Sequence, residues 1–347
     1  MAKQSLPKPS LEHLHRLTDD TGLFQHAKFT TPLRSEGYTT DDNTRALIVA
    51  TKYYAIYRDP ETLRLLDRYF AFVLHSQNSD GTVRNFMNFD RSWTPNEPTH
   101  DALGRVLWAF GSLLAQPPSP TYIPVAREHF DISAPLIRKQ SVRGMSYSIL
   151  GLAGYLKQCP DADDIREYTK KAADAIACPL SSAIRPPEDW PWFEDILTYD
   201  NAMLPCALFT AATTLNEKKY LKVAQITCDF LLANTFTGDH FSFIGCQGWF
   251  PRGGPKAQFD QQPIEAAGTI LMLDAAYKAT KDKKYLTLRQ KAFAWFMGEN
   301  DLGIPLYDSK SKGCGDGLGA EGVNLNEGAE STLSFLLGLL TMYEGKR

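Results

Sequence analysis

The chain has 347 residues, 43% hydrophobic and 12% aromatic, with a formal net charge of −3. That composition supplies a large core, and the charge gives no electrostatic reason to expect nucleic acid or a membrane as partner. Six scattered cysteines without a Cys-x-x-Cys pair argue against a zinc ribbon or thioredoxin-like motif, and the lack of an apolar leader or bilayer-length run predicts a cytoplasmic protein with reduced thiols.

Leu11 to Leu17 reads as a short helix, followed by a loop containing Gln25-His26 and Gly37-Tyr38. Asp41-Asp42-Asn43 opens an apolar helix, and Asp and Asn suit such starts because their side-chain oxygens accept orphan backbone N–H groups. Pro60 starts an amphipathic helix, with Leu63, Leu66, Phe70 and Val73 on one stripe. Gln77 to Trp93 is a polar and aromatic loop. Thr99-His100-Asp101 then opens a second apolar helix.

Pro117 to Pro120 ends that helix, and another is expected from about Ile123 to Ile137. Ser141-Val-Arg-Gly144 leads into a third apolar run, and residues 161–177 are amphipathic. Trp190-Pro-Trp-Phe-Glu-Asp195 crowds rings and acids into a turn that runs through Tyr199-Asp200-Asn201 into a fourth apolar helix. Pro205 falls in its first turn, where the missing N–H costs little. Residues 218–233 are amphipathic, and the Gly- and aromatic-rich stretch 236–258 reads as a loop with a short hairpin. Phe259-Asp-Gln-Gln-Pro263 opens a fifth apolar helix, residues 283–297 are amphipathic, and Asn326-Glu327-Gly328 precedes a sixth.

Apolar helices thus alternate with amphipathic ones, and the apolar starts recur at intervals of roughly 40–70 residues. Helices apolar all round belong inside and those with a polar face outside. Six of each predict an all-α (α/α)6 toroid, a single domain over residues 1–347, in preference to two six-helix domains or an open solenoid. All inner helices would then start on one face. That arrangement gathers Asp41, Asp42, Asp101, Asp200, Asp260 and Glu327 around one mouth, where helix N-termini favour carboxylates.

Any single Asp at a helix start commonly serves as a cap. Five acid-bearing entrances flanked by Trp192, Tyr199, Trp249, His100 and Arg45 do not reduce to that. Rings beside acids suit a sugar site, which needs a flat apolar face and groups that move protons. Glycosidic cleavage uses one protonated and one ionised carboxyl group, and clustered acids raise one another's pKa. The catalytic candidates are Asp200 and Glu194, followed by Asp101 and Asp42. Candidates for holding hydroxyls and sugar faces are Asp41, Asn43, Arg45, His100, Trp190, Trp192, Tyr199, Asn201, Trp249, Asp260, Gln261, Gln262 and Glu327.

Competing chemistries have less support. No Gly-x-Gly-x-x-Gly follows a strand, and there is neither a phosphate loop nor a Gly-x-Ser-x-Gly. His13 and His15 are expected at the surface. No metal motif or cofactor is expected, although an acidic mouth could hold Ca²⁺.

The segments Asp41-Asp42-Asn43, Trp190 to Asp195, Tyr199-Asp200-Asn201, Asp260 to Pro263 and Asn326-Glu327-Gly328 resemble the six-hairpin toroid glycosidase superfamily over nearly the whole chain. The resemblance implies hydrolysis or phosphorolysis of glycosidic bonds by carboxylates at the mouth of the ring. The related N-acylglucosamine 2-epimerase group uses histidines there, and His100 and His240 are the candidates for that chemistry. A short oligosaccharide as substrate is the leading expectation; epimerisation and glycan binding without catalysis are the alternatives.

Overall fold

The computed structural model describes residues 6–95, 101–181 and 189–344. Among these residues twelve α-helices run in chain order: α1 (Glu12–Leu17), α2 (Thr40–Tyr57), α3 (Pro60–Ser76), α4 (Ala102–Ala115), α5 (Tyr122–Ser133), α6 (Val142–Gln158), α7 (Asp163–Ser181), α8 (Met203–Leu215), α9 (Lys218–Thr235), α10 (Pro263–Thr280), α11 (Lys284–Phe296) and α12 (Ala329–Glu344). Each even-numbered helix packs on the next, and α12 returns to α2, so the inner ring closes. The odd-numbered helices lie outside, α3 on α2 and so round to α11 on α10, while α1 covers α12. The fold is an (α/α)6 toroid. The inner helices are buried along most of their length and form one continuous core with the inward stripes of the outer ones.

Local chemistry explains the helix starts. The Thr39 hydroxyl caps α2 by accepting from the Asp42 N–H, Asp59 caps α3, and the Ser141 hydroxyl caps α6 from Gly144. Pro60 and Pro263 occupy first-turn positions that lack a backbone partner in any case. The helix expected over residues 123–137 stops at Ser133 and continues as a 3₁₀ turn, Ala134–Lys139, with Pro135 in its first turn.

The inner ring is tightest between α4 and α6. A Cβ on Gly111 would collide with the Gly151 carbonyl oxygen, and one on Gly151 with that of Leu107. Both obstacles are backbone and cannot rotate away. Gly111→Ala is expected to force the two helices apart at a cost of about 1–3 kcal/mol, despite the better helix propensity of Ala. A urea midpoint equal to or above that of the parent protein would refute this.

Short strand pairs brace the mouth. Tyr38–Thr39 pairs with Phe86–Met87, Ile196–Leu197 with Phe250–Pro251, and Gly317–Gly319 with Gly322–Asn324. Within residues 236–258, Phe236 bridges Phe241, while Phe250–Pro251 pairs with Ile196–Leu197 of the distant turn.

His13 corrects a sequence expectation: it is fully buried, whereas His15 is exposed. Its Nε2 lies 2.9 Å from the Glu327 carbonyl oxygen and its Nδ1 3.5 Å from the Glu327 carboxylate. The short helix α1 packs on α12 and meets the loop just before it through this contact, so its inward face carries a histidine with a partner.

Candidate active site at the mouth of the ring

The N-terminal ends of the inner helices surround two adjoining cavities of about 350 and 320 Å³. Asp41, Arg45, Gln262 and Glu330 line both, so the two form one mouth. The first cavity continues past His26, Asp42, Asp260 and Asp316, and the second past Asp101, Arg105, Tyr199 and Trp249. Opposed helices therefore share a wall: Asp101 from the start of α4 and Gln262 from the start of α10 line the same space.

None of the entrance acids caps its helix. Thr39 caps α2 in place of Asp41 or Asp42, and neither Asp101 nor the residues before α8 and α10 make a side-chain cap. Apart from that of Asp260, their carboxylates face other side chains instead.

Arg45, almost fully buried, spans the closure of the ring. One guanidinium nitrogen donates to Asp42 Oδ1 and the other to Glu330 Oε2, both at 2.7 Å. Burial pushes the Asp42 carboxyl up to about 6, against the pull of Arg45. Asp42 also accepts from the Thr39 hydroxyl at 2.7 Å, so neither oxygen is idle.

A second chain of contacts crosses the floor of the mouth. Arg105 Nε lies 3.5 Å from Asp41 Oδ1, and its Nη2 donates to the Tyr147 hydroxyl at 2.8 Å. Tyr147 in turn donates to Asp200 Oδ2, and the Asp200 N–H donates to Glu265 Oε1. Asn201 Nδ2 donates to the other Glu265 oxygen at 3.3 Å. Side chains of α2, α4, α6 and α10 and the turn before α8 are thus tied together beneath the cavity.

Burial, helped by the neighbouring Asp200 charge, pushes the Glu265 carboxyl up to about 8. Burial also raises Asp200, against Arg105 and the Tyr147 hydrogen bond. Glu265 therefore keeps in the folded state a proton that the unfolded chain releases above about 4.5. Its contribution to stability is complete below that value and is lost as pH rises towards 8. Glu265→Gln should flatten this decline by an amount on the order of 3 kcal/mol. Urea midpoints at pH 5 and pH 8 measure it, and equal pH slopes for parent and variant would remove Glu265 as the cause.

The entrance of α6 carries no acid, and Arg143 stands there. It donates to the Tyr199 carbonyl oxygen at 2.7 Å, to Glu194 Oε2 at 2.8 Å and to Thr198 Oγ1 at 2.8 Å. Its guanidinium also sits 4.8 Å from the Tyr199 ring centroid. Glu194 thus fixes the turn over residues 194–201. Tyr199 then projects to the mouth, where its hydroxyl donates to Asp101 Oδ2, and Asp101 Oδ1 accepts from Ser141.

Asp260 differs from the other acids. It lines the first cavity, its carboxylate has no hydrogen-bonded or ion-paired partner among the described residues, and Oδ1 is out of contact with solvent. Burial alone raises its pKa. Gly317 makes the room, since a Cβ there would stand 2.7 Å from Asp260 Oδ1. Nearby Asp316 is also raised by burial, and it accepts from the Gly328 N–H at 2.8 Å and the Ser331 hydroxyl at 2.6 Å.

The structure therefore brings Asp41, Asp42, Arg45, Asp101, Tyr199, Trp249, Asp260 and Gln262 to the mouth. It holds Asp200 beneath the floor, 3% exposed, and sets Glu194 in the supporting turn. Asn43 ties the Leu23 backbone to the start of α2, and Asn201 closes the turn at Thr198. Gln261 is buried, where it accepts from Phe243 N and Trp295 Nε1 and donates to Asp301 at 2.6 Å. Trp190 and Trp192 are buried against Phe230, and Trp190 also against Phe250. Glu327 turns away to Ser311 and His13. His100 lies outside the described residues, and His240 pairs with Asp301 at 2.7 Å away from the mouth.

Sequence reasoning passed over Arg105, Tyr147, Glu265, Glu330, Asp316 and His26. A signal existed for three of them: Arg105, Glu265 and Glu330 are the single charges in the first turns of mostly apolar helices, where a charge needs a partner or a ligand.

No protein-family model matches the sequence, and no curated protein matches it either. Solved structures do match in fold. A sugar epimerase from a ruminal bacterium is 10% identical with a TM-score of 0.74, over 96% of this chain and 95% of that one. A D-mannose isomerase is 12% identical with a TM-score of 0.71, again over 96% and 95%. An α-1,6-mannanase of a Salegentibacter species is 11% identical with a TM-score of 0.62, over 96% of each chain. These likenesses are in fold, and the fold they share with this protein is the (α/α)6 toroid.

Proposed function

We propose that the ring acts as one unit, a carbohydrate-active enzyme that hydrolyses a glycosidic bond of a short oligosaccharide in the mouth. The observation that carries this reading is the unequal state of two carboxyl groups on one cavity. Asp260 is partly buried, with Oδ1 shielded from solvent and its carboxylate without a partner, which suits a proton donor to the leaving oxygen. Asp41 is ion-paired with Arg105, which suits the ionised partner that activates water or attacks the anomeric carbon. Trp249 and Tyr199 offer rings for stacking, while Arg45, Gln262 and Glu330 offer donors and acceptors to hydroxyls. Asp200 and Glu194 act here as positioning residues beneath and beside the cavity. Asp42 and Asp101, held by Arg45 and Tyr199, shape its walls.

His26 on the first cavity favours a second reading, epimerisation or isomerisation of a reducing sugar, for which the likeness in fold to a sugar epimerase and a mannose isomerase also speaks. That chemistry moves a proton at carbon and breaks no glycosidic bond. A panel of neutral oligosaccharides and their reducing monosaccharides incubated in D₂O separates the two. Hydrolysis is expected to give a new reducing end with no deuterium on carbon. Deuterium at carbon without chain shortening would transfer the site to the second reading.

A further inference from the structure

The axis of the ring has a second opening, at the end where the inner helices finish. A cavity of about 550 Å³ there is lined by residues of α2, α4, α6, α8, α10 and α12, none of which line the mouth. It is within the ~300–1,000 Å³ of ordinary small-molecule sites. Trp108, Leu150, Phe209 and Leu271 give it apolar walls. Three lysines stand on its lining, one each from α2, α6 and α10: Lys52, Lys157 and Lys278.

Two of these cations are already matched. Lys52 Nζ lies 2.8 Å from Glu344 Oε2, and Lys278 Nζ 2.6 Å from Asp274 Oδ2. Asp274 also accepts from the buried Arg289. Lys157 has no ion pair among the described residues. Burial, then the charges of Lys278 and Lys52, push its pKa down. An anion beside it would relieve that repulsion.

Four of the six hydroxyl groups on the lining are already engaged within their own helices, Ser112 and Thr214 being the other two. Those of Thr51, Thr210, Thr213 and Thr341 each donate to the carbonyl four residues back, at 2.7, 2.9, 3.1 and 2.8 Å. What the cavity offers is apolar surface and one unmatched positive charge. The partial negative ends of the inner helices would otherwise repel an anion, and the lysines offset them.

We propose that this cavity is a second small-molecule site that takes a compact amphipathic monoanion, an aryl or short alkyl group lying against Trp108 and Phe209 and its carboxylate or sulfonate against Lys157. The site is separate from the mouth and does not depend on the reaction assigned there.

The test uses 1-anilinonaphthalene-8-sulfonate and its uncharged counterpart N-phenyl-1-naphthylamine, titrated into the full chain by fluorescence and calorimetry. Both should saturate at one equivalent. Lys157→Gln should weaken the sulfonate by about tenfold and leave the neutral probe unchanged, whereas Lys157→Arg should retain the sulfonate. Ala275→Phe, which fills the cavity from α10, should abolish both. The proposal is overturned if neither probe saturates, or if Lys157→Gln leaves sulfonate affinity unaltered. Because the Lys157 side chain makes no ion pair or hydrogen bond among the described residues, its variants break no contact of the fold and decide the matter even if Ala275→Phe fails to fold.

Discussion

Asp260→Asn is expected to reduce turnover of an unactivated oligosaccharide by about 10²–10⁴-fold, with circular dichroism and urea midpoint close to those of the parent. The fold should tolerate the change because the Asp260 side chain has no hydrogen bond to lose. Asparagine fills the pocket beside Gly317 but has no acidic proton for the departing oxygen. An aryl glycoside with an acidic phenol leaves without that proton, so the variant should recover most of the loss on such a substrate. Asp41→Asn should behave differently, losing a similar factor on both substrates, because the ionised carboxylate is needed whatever leaves. The contrast between substrates tests roles, where a single activity loss would test only importance. Equal losses for Asp260→Asn on both substrates would end its assignment as proton donor. If Asp200→Asn abolished turnover while Asp260→Asn did not, the role would pass to the buried acid.

The architecture was readable because burial leaves a periodic trace. Helices apolar on every face alternate with striped ones, and a closed double ring buries the first set and the inward stripes of the second. The entrances of the inner helices could likewise be placed on one rim before any side chain was. Which way each side chain turns was harder to see. Asp200 and Asp260 both precede apolar helices, yet one is enclosed under Tyr147 and the other faces the cavity, a difference decided by neighbours distant in sequence. At the start of α12 the acid facing the mouth is Glu330, inside the helix, rather than Glu327, which stands in the loop before it and turns to Ser311 and His13. Trp190 and Trp192 look like stacking platforms in a polar turn, but Phe230 on the outer helix α9 covers both. His26 and Asp316 come from loops with no periodicity, so only the folded chain brings them together.

Arg105→Met is the substitution expected to destabilise the protein most, by about 3–5 kcal/mol. Arg105 is 3% exposed and contacts Asp41 and Tyr147, whose hydroxyl already serves Asp200. Methionine matches its volume but removes the cation that compensates acids on two sides of the floor. An unpaired buried charge costs more than the pair contributed. Lysine should recover only part of the loss, because an ammonium lacks the planar fork that reaches Tyr147 and Asp41 together. The decisive measurement is a double-mutant cycle by urea unfolding at pH 7. If the floor is a connected network, Asp41→Asn in the Arg105→Met background should cost far less than in the parent, with a coupling of about 1–3 kcal/mol. Strict additivity would mean that Asp41 stands on its own. The contact with Arg105 would then no longer support its reading as the ionised member of the pair.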